Sequence, residues 1–461
     1  MRVSTAWLRQ ICQYHRLQNV VQERALYSTQ AFLDRFVNHE KAGVPSGAGT
    51  SGEQGFDLNR MHRLLDAVDS PQAALPVVHV AGTKGKGSVS TLLSCILAAA
   101  GYRVGTYTSP HIRDIRERIA INDVPISQAD FDSLSEAHQS SIEASQSQPE
   151  GAPTHFEVLT ALALRHFKDQ QVDLAVVEAG LGGATDATNV FTPDTLRVAV
   201  ITELGREHET ALGVGLTRIA AAKAGIFKEG RPITVHKGLD KDLEDWQNGC
   251  TVDMRLLGEH HCHNAAAAVA AALQLHGQGW TMITGKAIVE GLHHAHLLGR
   301  FQVTCLEEPE SPWVVLDGAH TPASARALAS TLRQAFPQEG HPVALVVGMA
   351  ADKHHREVLQ ALRRTNPILV VFVSVPIAGS KERSVAPGTL AAHWQMASMD
   401  DRRRGQRCRT TIQASMMAAV DKARTELAAV KPGAGVVCIC GSLHTVAEAF
   451  NVLPLQAQLC R

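Results

Sequence analysis

The chain has 461 residues, of which 45% are apolar and 19% charged, and a formal net charge of -1. That length predicts two to three domains, and the composition is that of a soluble globular protein with room for two cores. The near-zero charge counts against a nucleic-acid partner, and no apolar run approaches the ~18 residues that a membrane span needs. A monomer is expected. The nine Cys are dispersed except for Cys438-Ile439-Cys440, which predicts reduced, structural thiols. His260-His261-x-His263 and His293-His294-x-His296 lack the Cys or carboxylate partners of a zinc site.

The first 27 residues stand apart. Arg2, Arg9, Arg16 and Arg24 recur, Glu23 is the single acid, and Trp7, Ile11 and Tyr14 share a face if the segment is helical. This is the composition of an organelle transit peptide cut near Tyr27 or Ser28; the alternative is a basic first helix of the domain. Gly43 to Gly55, with five Gly and a Pro, predicts a flexible loop.

Beyond it, short apolar runs alternate with helical patterns. Strands are expected at Val77–Ala81, Val104–Tyr107, Leu174–Glu178, Val198–Ile201, Trp313–Leu316, Leu345–Val347, Ile368–Val373 and Val436–Cys440. Most are continuous and not alternating, as in parallel strands covered on both faces. Helices are expected at Val89–Ala100, His155–Phe167, Leu216–Ala224 and Ala323–Phe336. The fold class is therefore α/β with doubly wound sheets, and a boundary is expected near Leu297–Leu298.

The strand Val77–Ala81 runs into Gly82-Thr83-Lys84-Gly85-Lys86-Gly87-Ser88 and then a helical run. Glycines let backbone N–H groups approach phosphate oxygens, the helix dipole favours negative charge, and Lys86 adds a cation. Ser88 can support a metal-bound phosphate or cap the helix. The spacing is not the standard G-x₄-G-K-[ST], because residue 80 is Val and Gly87 separates Lys86 from Ser88. Nucleotide binding is the expectation, against a plain Gly-rich turn.

Three further residues fall near the ends of expected strands or on a neighbouring helix. Glu178 closes a strand, where a carboxylate can hold Mg²⁺ or bind a loop amide. His208 follows the strand that ends at Ile201, and a lone His serves structure or ligation. Lys223 lies among alanines; buried, its amine would be depressed in pKa and open to carbamate formation, whereas exposed it would snorkel.

Together these stretches resemble the Mur ligase superfamily, and within it the folylpolyglutamate synthase and dihydrofolate synthase family. The resemblance rests on Gly82 to Ser88, Tyr107 to Ile112, Glu178 to Gly183, Asp186-Ala187-Thr188-Asn189, Lys223-Ala224-Gly225-Ile226, Gly299-Arg300-Phe301 and Asp317-Gly318-Ala319-His320. It runs from about Phe32 to Leu453. It implies a P-loop ATPase-type domain over residues 28–297 and a smaller Rossmann-like, glutamate-binding domain over 298–461. Gly82, Thr83, Lys84, Gly85, Lys86, Gly87 and Ser88 would hold ATP, with Asn264, Arg300 and Asp317 contacting the nucleotide from the domain junction. Ser109, Glu178 and His208 would ligate Mg²⁺, carbamylated Lys223 would position a second Mg²⁺, and K⁺ is a further candidate. Lys86, Lys223 and His320 would be catalytic, His320 on the γ-phosphate and glutamate side.

Within the family, Gly47-Ala48-Gly49-Thr50, Gly55-Phe56-Asp57-Leu58, Lys84 in place of a frequent Asn, and Asp317 to Thr321 are most similar to the dihydrofolate synthases of plants and green algae. The implied reaction joins dihydropteroate to L-glutamate at the expense of ATP, in mitochondria if residues 1–27 are a presequence and in the cytoplasm if they are not. Folylpolyglutamate synthase, acting on a reduced folate, and a nucleotide-binding homologue without catalysis are the alternatives. Ala184 stands where many members have Arg, Glu207 where many have Asp, and the stretch from Pro232 to Gly258 is short. His155-Phe156-Glu157 and Gly47 to Gly49 are candidate pterin contacts by resemblance alone.

Overall fold

The computed structural model describes residues 27–50, 56–145, 151–235, 252–306, 311–337, 339–377, 379–380, 382–399, 408–432 and 434–455. The expected presequence, save residue 27, lies outside the described residues, as does most of the short 232–258 stretch. The chain divides into two compact units, each discontinuous in sequence. The first comprises residues 1–110, 116–238 and 270–284; the second comprises 111–115, 239–269 and 285–461.

Strands β1 (Val77–Ala81), β2 (Val104–Tyr107), β3 (Ile119–Ile121), β4 (Val124–Pro125), β5 (Leu174–Glu178), β6 (Leu196–Ile201) and β7 (Ile233–Val235) form the sheet of the first unit. Their order is β4-β3-β2-β5-β1-β6-β7. From β2 to β7 the pairing is parallel, and β3 and β4 add an antiparallel edge. Every residue of β1, β2 and β5 is buried, as continuous apolar runs demand when helices cover both faces. Asn122 and Asp123, with φ of 48° and 64°, make the two-residue turn joining β3 to β4.

In the second unit β8 (Gln302–Cys305), β9 (Trp313–Leu316), β10 (Val343–Val347), β11 (Leu369–Val373), β12 (Arg409–Gln413) and β13 (Val436–Cys440) follow the order β12-β11-β10-β13-β9-β8. Only the β8–β9 pairing is antiparallel among these described strands. One face packs Phe372 and Trp394 with Leu328 and Leu332, the other packs Val371 and Ile439 with Val420 and Leu427. Each unit is thus the expected doubly wound α/β layer arrangement.

The loop expected to be flexible is held over its first half. Gly47 N–H and Gly49 N–H donate to Thr210 and Ala211 carbonyls at 2.9 and 3.0 Å, Thr185 Oγ1 donates to Ala48 O, and Ala48 is buried. Glycine here lets two backbones approach closely, because a Cβ at Gly49 would lie 2.3 Å from Leu212 Cδ2. Residues 51–55 lie outside the described residues. Among the described residues no helix is long and apolar enough to cross a membrane, and the described cysteines are free thiols.

Candidate active site

The phosphate loop leaves β1 at Gly82 and enters the helix Lys86–Ala99 at Gly85, whose φ of 83° suits glycine. No side chain caps this helix, so its first N–H groups keep the anion-binding character of a helix start. A Cβ at Gly82 would stand 1.8 Å from Thr202 Oγ1, which fixes glycine at that position. Ser88 is buried one turn into the helix.

The end of β5 supplies the counter-charge. Glu178, 3% exposed, accepts from Ser109 N–H at 3.0 Å and stands 3.8 Å from Lys86 Nζ. A Cβ at Gly87 would come to 3.4 Å from Glu178 Oε2, so the helix start, the Ser109 turn and the carboxylate share one small volume. A buried carboxylate is an oxygen donor, and Ser88 and Ser109 bring hydroxyls on the same helix start and turn, a chemistry that fits a hard cation such as Mg²⁺.

Lys223 lies in the helix Leu216–Ala224 and is buried, so it does not snorkel. Its Nζ donates to Gly82 O at 2.7 Å. Burial, with Lys86 nearby, lowers its pKa from 10.5 to about 7. A substantial fraction is then the neutral amine at neutral pH, the form that reacts with CO₂. The segment after it is pinned: Asn189 Nδ2 donates to Ala184 O and Gly225 O, and Lys228 Nζ donates to Asn189 Oδ1 at 3.0 Å.

His208 sits in the turn after β6 with φ 61°, at the start of the short helix Glu209–Leu212. Among the described residues no three His, Cys, Asp or Glu side chains gather as a metal-binding group. Glu178 and His208 are therefore not part of a ready-made cluster of that kind. Lys84 and Glu207 meet each other at 3.3 Å.

In the second unit Asp317 follows β9. Its Oδ2 accepts from Phe301 N–H and its Oδ1 from Ala319 N–H, each at 2.8 Å, and burial raises its pKa while Arg300 opposes that rise. Gly318 keeps room for Arg300, since a Cβ there would be 2.9 Å from Arg300 Nη1. His320 Nδ1 lies 2.8 Å from Gly318 O, ahead of a helix capped by Thr321 and Ser324 with Pro322 in its first turn. Asn264 is buried on the helix Glu259–Gly277. The expected nucleotide contacts Arg300 and Asp317 thus come together with the turn that carries His320.

The model of the Mur ligase middle domain matches residues 80–246, and that of the Mur ligase glutamate ligase domain matches residues 299–443. The chain is 33% identical over 344 residues to the dihydrofolate synthase/folylpolyglutamate synthase of Bacillus subtilis, covering 66% of this chain and 78% of that one. It is 30% identical over 342 residues to the dihydrofolate synthetase of Saccharomyces cerevisiae, covering 67% and 78%. Mycobacterium tuberculosis folylpolyglutamate synthase complexed with ADP superposes with a TM-score of 0.75 at 28% identity, over 93% of this chain and 98% of that one. The chain belongs to the folylpolyglutamate synthase and dihydrofolate synthase family of Mur ligases. It is an ATP-dependent acid–amino-acid ligase.

The 186–189 motif of this ligase has a role that its sequence alone does not disclose. Asp186 is buried and accepts from Leu181 N–H, Thr188 N–H and the Thr188 hydroxyl, at 2.7, 3.0 and 2.5 Å. Since the Thr188 hydroxyl donates to Asp186, the contact of 2.8 Å between His79 Nε2 and Thr188 Oγ1 makes the imidazole the donor. Burial, with Lys228 nearby, pushes that imidazole down to about 3, so it is neutral. The relay ties the middle of β1 to the glycine loop after Glu178. An apolar strand interrupted by His79 was the available signal.

Proposed function

We propose that the chain is a dihydrofolate synthase, joining L-glutamate to 7,8-dihydropteroate through an acyl phosphate with release of ADP and phosphate. The observation that carries the ligase chemistry is the grouping of the phosphate loop, Glu178, Ser109 and buried Lys223 within one unit. Lys86 and the amides at the helix start would bind and orient the phosphates, so that the dihydropteroate carboxylate attacks the γ-phosphorus and ADP leaves. Ser109, Glu178 and His208 would hold Mg²⁺ and carbamylated Lys223 a second one. Bound there, the metal supplies charge neutralisation of the transferring phosphoryl group. The glutamate amine then attacks the acyl carbon, a proton leaves the nitrogen, and phosphate departs. Asn264, on the helix Glu259–Gly277, and Arg300, Asp317 and His320 would serve the nucleotide and glutamate.

Dihydropteroate is favoured over a reduced folate by the similarity of Gly47 to Thr50, Gly55 to Leu58, Lys84 and Asp317 to Thr321 to plant and green-algal dihydrofolate synthases. Folylpolyglutamate synthase activity is the second reading, supported by the double name of the Bacillus subtilis relative. ADP release measured with dihydropteroate plus glutamate, and with tetrahydrofolate monoglutamate plus glutamate, separates them. Turnover of the second pair alone would sink the preferred reading. The Arg-rich residues 1–27 support import into mitochondria, to be checked by whether their removal moves a fluorescent fusion to the cytosol.

A further inference from the structure

Lys84 lies inside the phosphate loop, yet its bonds run away from the helix start. The N–H groups of Thr83 and Lys84 both donate to Glu203 O, at 2.9 and 3.2 Å, and Lys84 and Glu203 form an isolated antiparallel bridge. The Thr83 hydroxyl donates to Gly205 O at 3.2 Å and accepts from Gly205 N–H at 3.0 Å. Lys84 Nζ then reaches Glu207 Oε1 at 3.3 Å, with both side chains about a quarter exposed at 27% and 28%. Glu207 N–H donates to Gly205 O at 3.0 Å, and the next residue is His208 in its left-handed conformation. The amides of Thr83 and Lys84 are thus already committed to the 203–205 turn, and phosphate is left to the amides from Gly85 onward.

We propose that Lys84 and Glu207 form a clamp that fixes the turn bearing His208 against the phosphate loop, with Glu207 a positioning residue and Lys84 not a phosphate ligand. The proposal rests on the reading of this loop as the ATP site. It follows from where the bonds go. Lys86 has its carboxylate at the helix start itself, in Glu178, whereas Lys84 has its own on the turn that bears His208. The left-handed His208 needs such support, because its conformation is disfavoured for a residue with a Cβ and persists only where the surroundings impose it.

The test is a double-mutant cycle on the full-length ligase, read as ADP affinity by calorimetry and as separate KM for ATP and kcat. Lys84→Met and Glu207→Gln each weaken ADP binding by about two- to five-fold, the range of a partly exposed ion pair. The double variant is no weaker than the worse single one. The pair Lys84→Arg with Glu207→Asp, which moves reach from carboxylate to cation, restores affinity and KM, while Glu207→Asp alone does not. The coupling shrinks as salt is raised. Tighter ADP binding in Glu207→Gln, or strictly additive losses, would overturn the clamp and make Lys84 a phosphate contact. Wild-type protein that fails to bind ADP would overturn the ATP-site reading itself, so the two failures are distinguishable.

Discussion

The ends of β5 and β9, in two different doubly wound sheets, each carry a carboxylate and use it differently. Glu178 faces a lysine and a serine turn at the start of the phosphate-loop helix. Asp317 has each oxygen taken by a main-chain amide, of Phe301 and Ala319, and so shapes the loop that carries Arg300. The strand-end carboxylate that sequence reading flags in any α/β sheet therefore has two uses. Its hydrogen-bond partners tell them apart better than its position does.

If the first region carries the chemistry, Lys223→Ala should have the largest effect, cutting kcat by about 10²–10³-fold with ADP affinity kept. Single-turnover kinetics beside calorimetry would check this, and a variant that keeps its turnover would remove Lys223 from the chemistry. Gly82→Ala comes next. Its methyl would sit 1.8 Å from Thr202 Oγ1, and an overpacking cost of about 1–3 kcal/mol predicts a ten- to hundred-fold weaker ADP complex. Unaltered binding there would mean that the loop yields where the packing says it cannot.

Asp317→Asn tests the other side of the comparison. It should lower stability by about 1–3 kcal/mol, seen in urea unfolding, because one main-chain N–H loses a charged acceptor. An unchanged midpoint with a raised KM for ATP would show the carboxylate working outward, like Glu178. The smallest effect is one of pH. Turnover that needs neutral Lys223 should rise severalfold through about pH 7 and respond to added bicarbonate. The folded amine is neutral above about 7 while the unfolded one keeps its proton up to 10.5, so stability contributed by this group should rise with pH across that window. A flat profile in Lys223→Ala against a sloped one in the parent would assign the effect.

The buried parallel strands were legible because most are apolar runs with at most one or two polar residues: β1, β2, β5, β9 and β13 fall where the sequence places them, and β6, β10 and β11 within two residues. The strands β3, β4, β7, β8 and β12 were not. They lie at sheet margins; β3 and β4 are too short to register as runs, and β7, β8 and β12 mix polar with apolar residues, as Arg409-Thr410-Thr411-Ile412-Gln413 shows. At the site, the glycines and Lys86 were readable from local chemistry. Burial of Lys223 was not, because a lysine among alanines looks alike on an exposed and a covered helix face. The partners of Thr188 and Glu207 depend on contacts across more than a hundred residues, in His79 and Lys84, which no local pattern encodes.

The position of β1 has a bearing on how the protein is made. Its two neighbours pair through Val77↔Ala175 on one side and Val77↔Leu196 on the other. A ribosome therefore releases the phosphate-loop strand roughly a hundred residues before either flank exists. Through that interval four apolar residues, Val77, Val78, Val80 and Ala81, have no sheet to join, and this stretch is where a chaperone would be expected to bind the nascent chain.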